Sequence, residues 1–138
     1  MNEPYHGLLV LNRSSVMDFT AEEPYVVISV TDPDLPEVLI PQSPHLKSIL
    51  RLSFHDIEEP YREFVLMVPE QAARIAAFVR RWQSEVELIV VQCEGGISRS
   101  AAIAAAIAHW SYGDDQYFID EFLPNRHVFN LVRVALEQ

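Results

Sequence analysis

Residues 87–112 dictate most of what this chain can become. ELIVVQ at 87–92 is a short, nearly continuous apolar run. A strand of that kind is covered on both faces, as in a parallel sheet. The run gives way to Cys93-Glu94-Gly95-Gly96-Ile97, and from Ser98 to Trp110 the pattern turns alanine-rich, with six alanines between Ala101 and Ala108. Side chains this small let a helix lie close against a sheet. Gly113 then supplies a helix stop.

The same alternation extends to either side. YVVISV at 25–30 is β-branched, apolar and bounded by the turn residues Thr31-Asp32-Pro33-Asp34, so it predicts a buried strand. Residues 8–11 form a second short strand candidate, and residues 49–54 a third, with a turn beginning near His55-Asp56. The four prolines Pro33, Pro36, Pro41 and Pro44 make residues 32–44 mostly loop. Pro69 suits a first helical position and Glu70 complements the dipole there. Ile75, Phe78, Val79 and Trp82 follow at helical spacing, predicting a helix that ends near Ser84. Two final helices, 114–123 and 125–136, are separated at Pro124. Strands alternating with helices give an α/β domain with a central, largely parallel sheet of about four to five strands flanked by helices.

Length and charge narrow the classes further. At about 100–200 residues per domain, the 138 residues make one domain, 1–138. A chain of this size buries roughly two-thirds of its unfolded surface. No apolar run approaches the ~20 residues that span a bilayer. The apolar stretch at 7–11 follows Glu3 and does not read as an export signal. One cysteine makes no internal disulfide, so the expected compartment is cytoplasmic. Twenty Asp and Glu face ten Lys and Arg, giving a net charge of −10, and Arg80-Arg81 is the only adjacent basic pair. Nucleic acid and anionic membrane surfaces want concentrated positive charge, so neither is an expected partner. The charge serves solubility; a preference for basic protein substrates is the sharper reading.

The segment that carries chemistry is 92–100, QCEGGISRS. In an open parallel sheet, ligands bind beyond the carboxyl ends of the strands, and the single cysteine sits at such an end. Five residues between Cys93 and Arg99 suffice for a loop that curls around one small anion. Gly95 and Gly96 free the backbone to aim successive N–H groups inward. The helix starting near Ser98 points its positive end at the same place. Arg99 can clamp two oxygens of an oxyanion with its planar fork. A cysteine at the centre of this cradle is favoured as the thiolate, the nucleophilic form. The competing reading, a buried structural cysteine, leaves Arg99 unexplained.

With its flanking strand and helix, Cys-Glu-Gly-Gly-Ile-Ser-Arg-Ser resembles the signature loop of the cysteine-dependent protein tyrosine phosphatases, and especially their small dual-specificity branch. Pro124-Asn125 followed by Val128 and Phe129 is similar to the family's C-terminal helix. The resemblance covers most of residues 25–136. It implies a two-step reaction in which Cys93 attacks phosphorus, a phosphocysteine forms, and water hydrolyses it. It implies that Arg99 and the N–H groups of Glu94, Gly95, Gly96, Ile97, Ser98 and Arg99 hold the phosphate oxygens. Ser100 matches the family's hydroxyl after the arginine, which bonds the sulfur and helps it leave. Substrates would be proteins phosphorylated on tyrosine, with serine and threonine as the alternative, or small phosphate esters.

The leaving group needs a proton, and Asp56 is the first candidate to supply it. It follows a predicted strand, and if that strand runs parallel to the one before Cys93, both loops emerge at the same sheet edge. Glu58 and Glu59 are rivals on the same loop. Asp32 and Asp34 read instead as turn residues with Pro33, and His55 as a capping or surface histidine. One departure stands out: the family places His immediately before the nucleophile, and this chain has Gln92. Gln hydrogen-bonds but carries no positive charge, so less thiolate is expected than in His-bearing relatives. The Glu94 side chain is expected to point outward.

Other functions fit less well. Rhodanese-type sulfurtransferases have a shorter loop, and arsenate reductases place theirs near the N-terminus. Inositol-phosphate phosphatases often carry loop lysines, and residues 94–98 have none. An RNA 5′-phosphatase wants basic surroundings. A non-catalytic phosphate-binding module remains the rival of a different class. No metal-ligand spacing or nucleotide loop is present, and the chemistry calls for no metal or cofactor.

Overall fold

The structure, a computed structural model, describes residues 3–138. Its elements in chain order are β1 (Leu8–Leu11), α1 (Arg13–Val16), β2 (Tyr25–Thr31), β3 (Leu46–Ser53), α2 (Pro69–Trp82), β4 (Leu88–Gln92), α3 (Arg99–Tyr112), α4 (Gln116–Glu121) and α5 (Arg126–Leu136). The four strands form one wholly parallel sheet in the order β1-β4-β2-β3. The α/β architecture expected from the alternation is therefore present, with the lower of the two expected strand numbers. β4 lies between β1 and β2, which explains why its sequence is apolar on both faces.

Side-chain alternation sorts the core into two layers. Val26, Ile28, Ile89 and Val91 face α2, α3 and α5 and meet Ile75, Val79, Ile103, Val128 and Val132. On the opposite face, Leu9, Leu11, Tyr25, Val27 and Val90 pack against Val16, Phe19 and Val38. The long helices thus cover one face only. The other is closed by α1 and by the proline-containing loop, an arrangement the helix count alone does not reveal. Helix α3 is buried from Arg99 through Ala108, which accounts for its alanines: a helix enclosed all round has room for small residues only. Gly113 caps it at φ 71°, in the left-handed region that glycine enters without strain.

Two boundaries and one additional short helix differ from expectation. β3 begins at Leu46, before the apolar run from Ile49, because an edge strand tolerates the exposed Lys47. The four-residue α1 carries no apolar periodicity to reveal it; Asn12 caps it by accepting the Ser15 N–H at 2.8 Å. Helix α4 is shorter than residues 114–123. The chain becomes extended at Phe122, and the Leu123 and Asn125 N–H groups bond instead to the carbonyls of Ile97 and Ser98. Among the described residues, no helix is long and apolar enough to cross a membrane.

Candidate functional site

Cys93 stands at the carboxyl end of β4, where the loop to α3 begins. Its thiol is 2% exposed, and its Sγ lies 3.1 Å from the Ser100 Oγ. The loop's carbonyls are occupied from outside. Glu94 O accepts from the Arg13 N–H at 3.2 Å, Ile97 O from Leu123 at 3.1 Å, and Ser98 O from Asn125 at 3.1 Å. A trans peptide places its C=O and N–H on opposite sides. Tying these carbonyls outward therefore turns the following N–H groups toward the loop interior. Among the described residues, no N–H from Glu94 to Ser98 donates a hydrogen bond within the protein.

The two glycines are not equivalent. Gly96 has φ +64°, and a Cβ there would sit 2.7 Å from the Asn12 nitrogen and 2.9 Å from the Leu11 carbonyl carbon. Gly95 has an ordinary φ and open space around it. Conformational freedom is thus required at one of the two positions proposed from sequence. The other supplies only its N–H.

Arg99 is 5% exposed. Its Nη1 donates to Asp32 Oδ1 at 2.6 Å and to the Phe54 carbonyl at 2.8 Å. Its Nε is buried and has no partner among the described residues. Asp32 follows β2, the neighbour of β4, so parallel pairing brings its carboxylate to the same sheet edge. The turn expected at Asp32 exists, with the Leu35 N–H on its carbonyl, but the side chain belongs to this site. The signal that would have found it was the position of Asp32 just beyond a strand's carboxyl end.

Asp56 stands at the loop's rim. Its Oδ1 accepts from Ser98 Oγ and from Asn125 Nδ2, both at 2.8 Å. Asn125 also donates to the Ile57 carbonyl and caps α5 through its Oδ1. The rival Glu58 lines an open groove with Asp56, and its carboxylate accepts the Arg126 N–H at 2.6 Å. Glu59 lines the same groove, with Tyr61, Ile119 and Leu123. Ile97 projects outward at 50% exposure.

His55 latches two rim loops together. Its Nδ1 accepts the Val65 N–H at 2.8 Å, so the ring hydrogen sits on Nε2, 3.2 Å from Asp34 Oδ1. Asp34's own backbone N–H, and then His55, hold the Asp34 carboxyl below the usual carboxylate range. Gln92 is fully buried. It accepts the Ser29 hydroxyl across the β2–β4 pair, and its Nε2 has no partner among the described residues. The Glu94 carboxylate is paired with Arg13 of α1. Among the described residues, no cluster of three or more His, Cys, Asp or Glu could hold a metal ion.

This fold is that of the small dual-specificity-like cysteine phosphatases. A human tyrosine phosphatase-like serine/threonine/tyrosine-interacting protein matches with a TM-score of 0.68 at 18% identity, covering 93% of this chain and 89% of its own. Human DUSP28 matches at 0.63 and 14% identity, over 96% and 93%. PTPMT1 in complex with PI(5)P matches at 0.54 and 16% identity, over 83% and 77%. No protein-family model matches the sequence, and no curated protein matches it significantly.

Proposed function

We propose that the protein, as one domain, hydrolyses phosphate monoesters through a phosphocysteine intermediate, with phosphotyrosine in proteins as the leading substrate and phosphoserine or phosphothreonine next. The observation that carries this reading is the row of N–H groups from Glu94 to Ser98 that, like the Arg99 Nε at its end, have no partner among the described residues, and that starts at a buried thiol. Such a row, joined to a helix N-terminus, suits three phosphate oxygens. In the first step the Cys93 thiolate bonds to phosphorus. The phosphorus–oxygen bond to the leaving group breaks, and Asp56 passes a proton to that oxygen. In the second step Asp56 takes a proton from water as the water oxygen attacks phosphorus. The sulfur–phosphorus bond breaks, and the Ser100 hydroxyl donates to the departing sulfur. Asp56 suits this role better than Glu58 because its carboxylate is bonded to Ser98 of the cysteine loop itself, whereas that of Glu58 is bonded to the Arg126 N–H of α5.

Two other readings have specific support. The neighbour described as an interacting protein favours a phosphate-binding module, and the one crystallised with PI(5)P favours a phosphoinositide substrate. Hydrolysis of an aryl phosphate, phosphotyrosine and phosphoserine peptides, and PI(5)P separates the three. The hydrolase reading expects turnover of aryl phosphate and phosphopeptide by the wild type, none by Cys93→Ser, and a loss of about 10²–10⁴-fold for Asp56→Asn. Phosphopeptide binding without turnover would favour the module. Turnover of PI(5)P alone would favour the lipid substrate.

A further inference from the structure

The loop that begins at Cys93 carries a carboxylate at its next position, an awkward charge beside a site meant for an anion. Arg13 answers it. Its Nη1 lies 3.1 Å from both Glu94 oxygens, and the side chains of the pair are only 29% and 19% exposed. The Arg13 backbone N–H holds the Glu94 carbonyl, and its Nη2 donates to the Pro36 carbonyl at 2.7 Å. Pro36 belongs to the same loop as Asp32, the partner of Arg99. One residue of α1 thus touches the cysteine loop twice and the Asp32 loop once.

We propose that Arg13 is a positioning residue that cancels the Glu94 charge, so that a loop bearing a carboxylate can receive a phosphate dianion. The inference rests on the phosphate-binding part of the function proposed above. In a chain of net charge −10, the attraction for an anion comes from a few local groups, the loop N–H groups, the α3 N-terminus and Arg99. An unpaired Glu94 would oppose all three. Paired with Arg13 it is locally neutral, and the same contacts keep its carbonyl turned outward. The signs of the two single variants therefore separate charge compensation from simple bracing. Bracing predicts that losing either partner weakens anion binding. Compensation predicts opposite effects.

The test is a double-mutant cycle read by calorimetric binding of inorganic phosphate, with KM and kcat for an aryl phosphate alongside. Arg13→Gln should weaken phosphate binding by roughly tenfold, through a carboxylate left unpaired near the anion, and raise KM more than it lowers kcat. Glu94→Gln should tighten binding, because Arg13 then stands uncompensated. The double variant should return close to the wild-type affinity, and added salt should shrink all these differences. Arg13→Lys keeps the charge and should retain most of the affinity even if Arg13→Gln folds poorly. Weakening by both single variants, losses that add in the double variant, or an Arg13→Lys protein as weak as Arg13→Gln would overturn the inference. A wild type that binds phosphate but turns over no ester would defeat the hydrolase reading and leave the cycle readable. One that binds no phosphate would overturn both.

Discussion

Gly96→Ala should damage the protein where Gly95→Ala does not. Two costs fall on Gly96. An alanine at φ +64° sits in the left-handed region, at about 1–2 kcal/mol. Its Cβ would also press to 2.7 Å from the Asn12 nitrogen and 2.9 Å from the Leu11 carbonyl carbon. Those are backbone atoms at the end of β1, and no rotamer change moves them aside. Relief requires the cysteine loop or the β1–α1 junction to shift, adding about another 1–2 kcal/mol, as overpacking does in a filled interior. Together the terms give about 2–4 kcal/mol. For a chain of this length, that lowers Tm by roughly 7–14 °C. Gly95→Ala meets no atom within 4 Å, so its change should stay within about 0.5 kcal/mol. Calorimetric melting of both variants checks the stability difference, and phosphate binding checks the loop. Equal melting temperatures would refute the claim that Gly96 is held against β1.

Asp32→Asn should lower kcat/KM for an aryl phosphate by about 10²-fold, since misplacing Arg99 by about 1 Å costs that much; a crystal structure of the variant would reveal the displaced guanidinium. Asn125→Ser keeps a side-chain oxygen for the α5 cap but drops the amide that holds Asp56. It should cost less stability than Asn125→Ala, which loses the cap at about 1 kcal/mol, while both variants lose turnover of esters with poor leaving groups. The Asp34 carboxyl is held below its ordinary range in the fold. The stability it contributes is therefore present above the carboxylate's unfolded pKa and is lost as pH falls through its lower folded value. Asp34→Asn should flatten that acid limb of a Tm-against-pH curve, by a small amount because the carboxylate is exposed.

The parallel α/β class, the helix over residues 69–82 and the course from β4 through the cysteine loop into α3 were legible in the sequence. Each rests on short-range physics: apolar period, a proline at a helix start, glycine where φ turns positive, alanine where a helix meets a sheet. The cysteine, Arg99 and Ser100 belong to one contiguous stretch, so their association needed no fold to be seen. What the tertiary structure decided is every partner of that stretch. Asp32 lies 67 positions from Arg99, and Arg13 lies 81 from Glu94. Asn125 lies 69 from Asp56. The order β1-β4-β2-β3 brings the ends of β1 and β2 to either side of β4, while α3 and the chain after α4 close the loop from behind. Residues with ordinary turn or surface compositions thereby become the contacts that turn the loop's carbonyls outward, hold Arg99 and tie Asp56 to the loop's rim. Local pattern fixed which groups could form an anion cradle, and strand order fixed which side chains hold it open, because strand order alone sets which distant chain ends meet at one sheet edge.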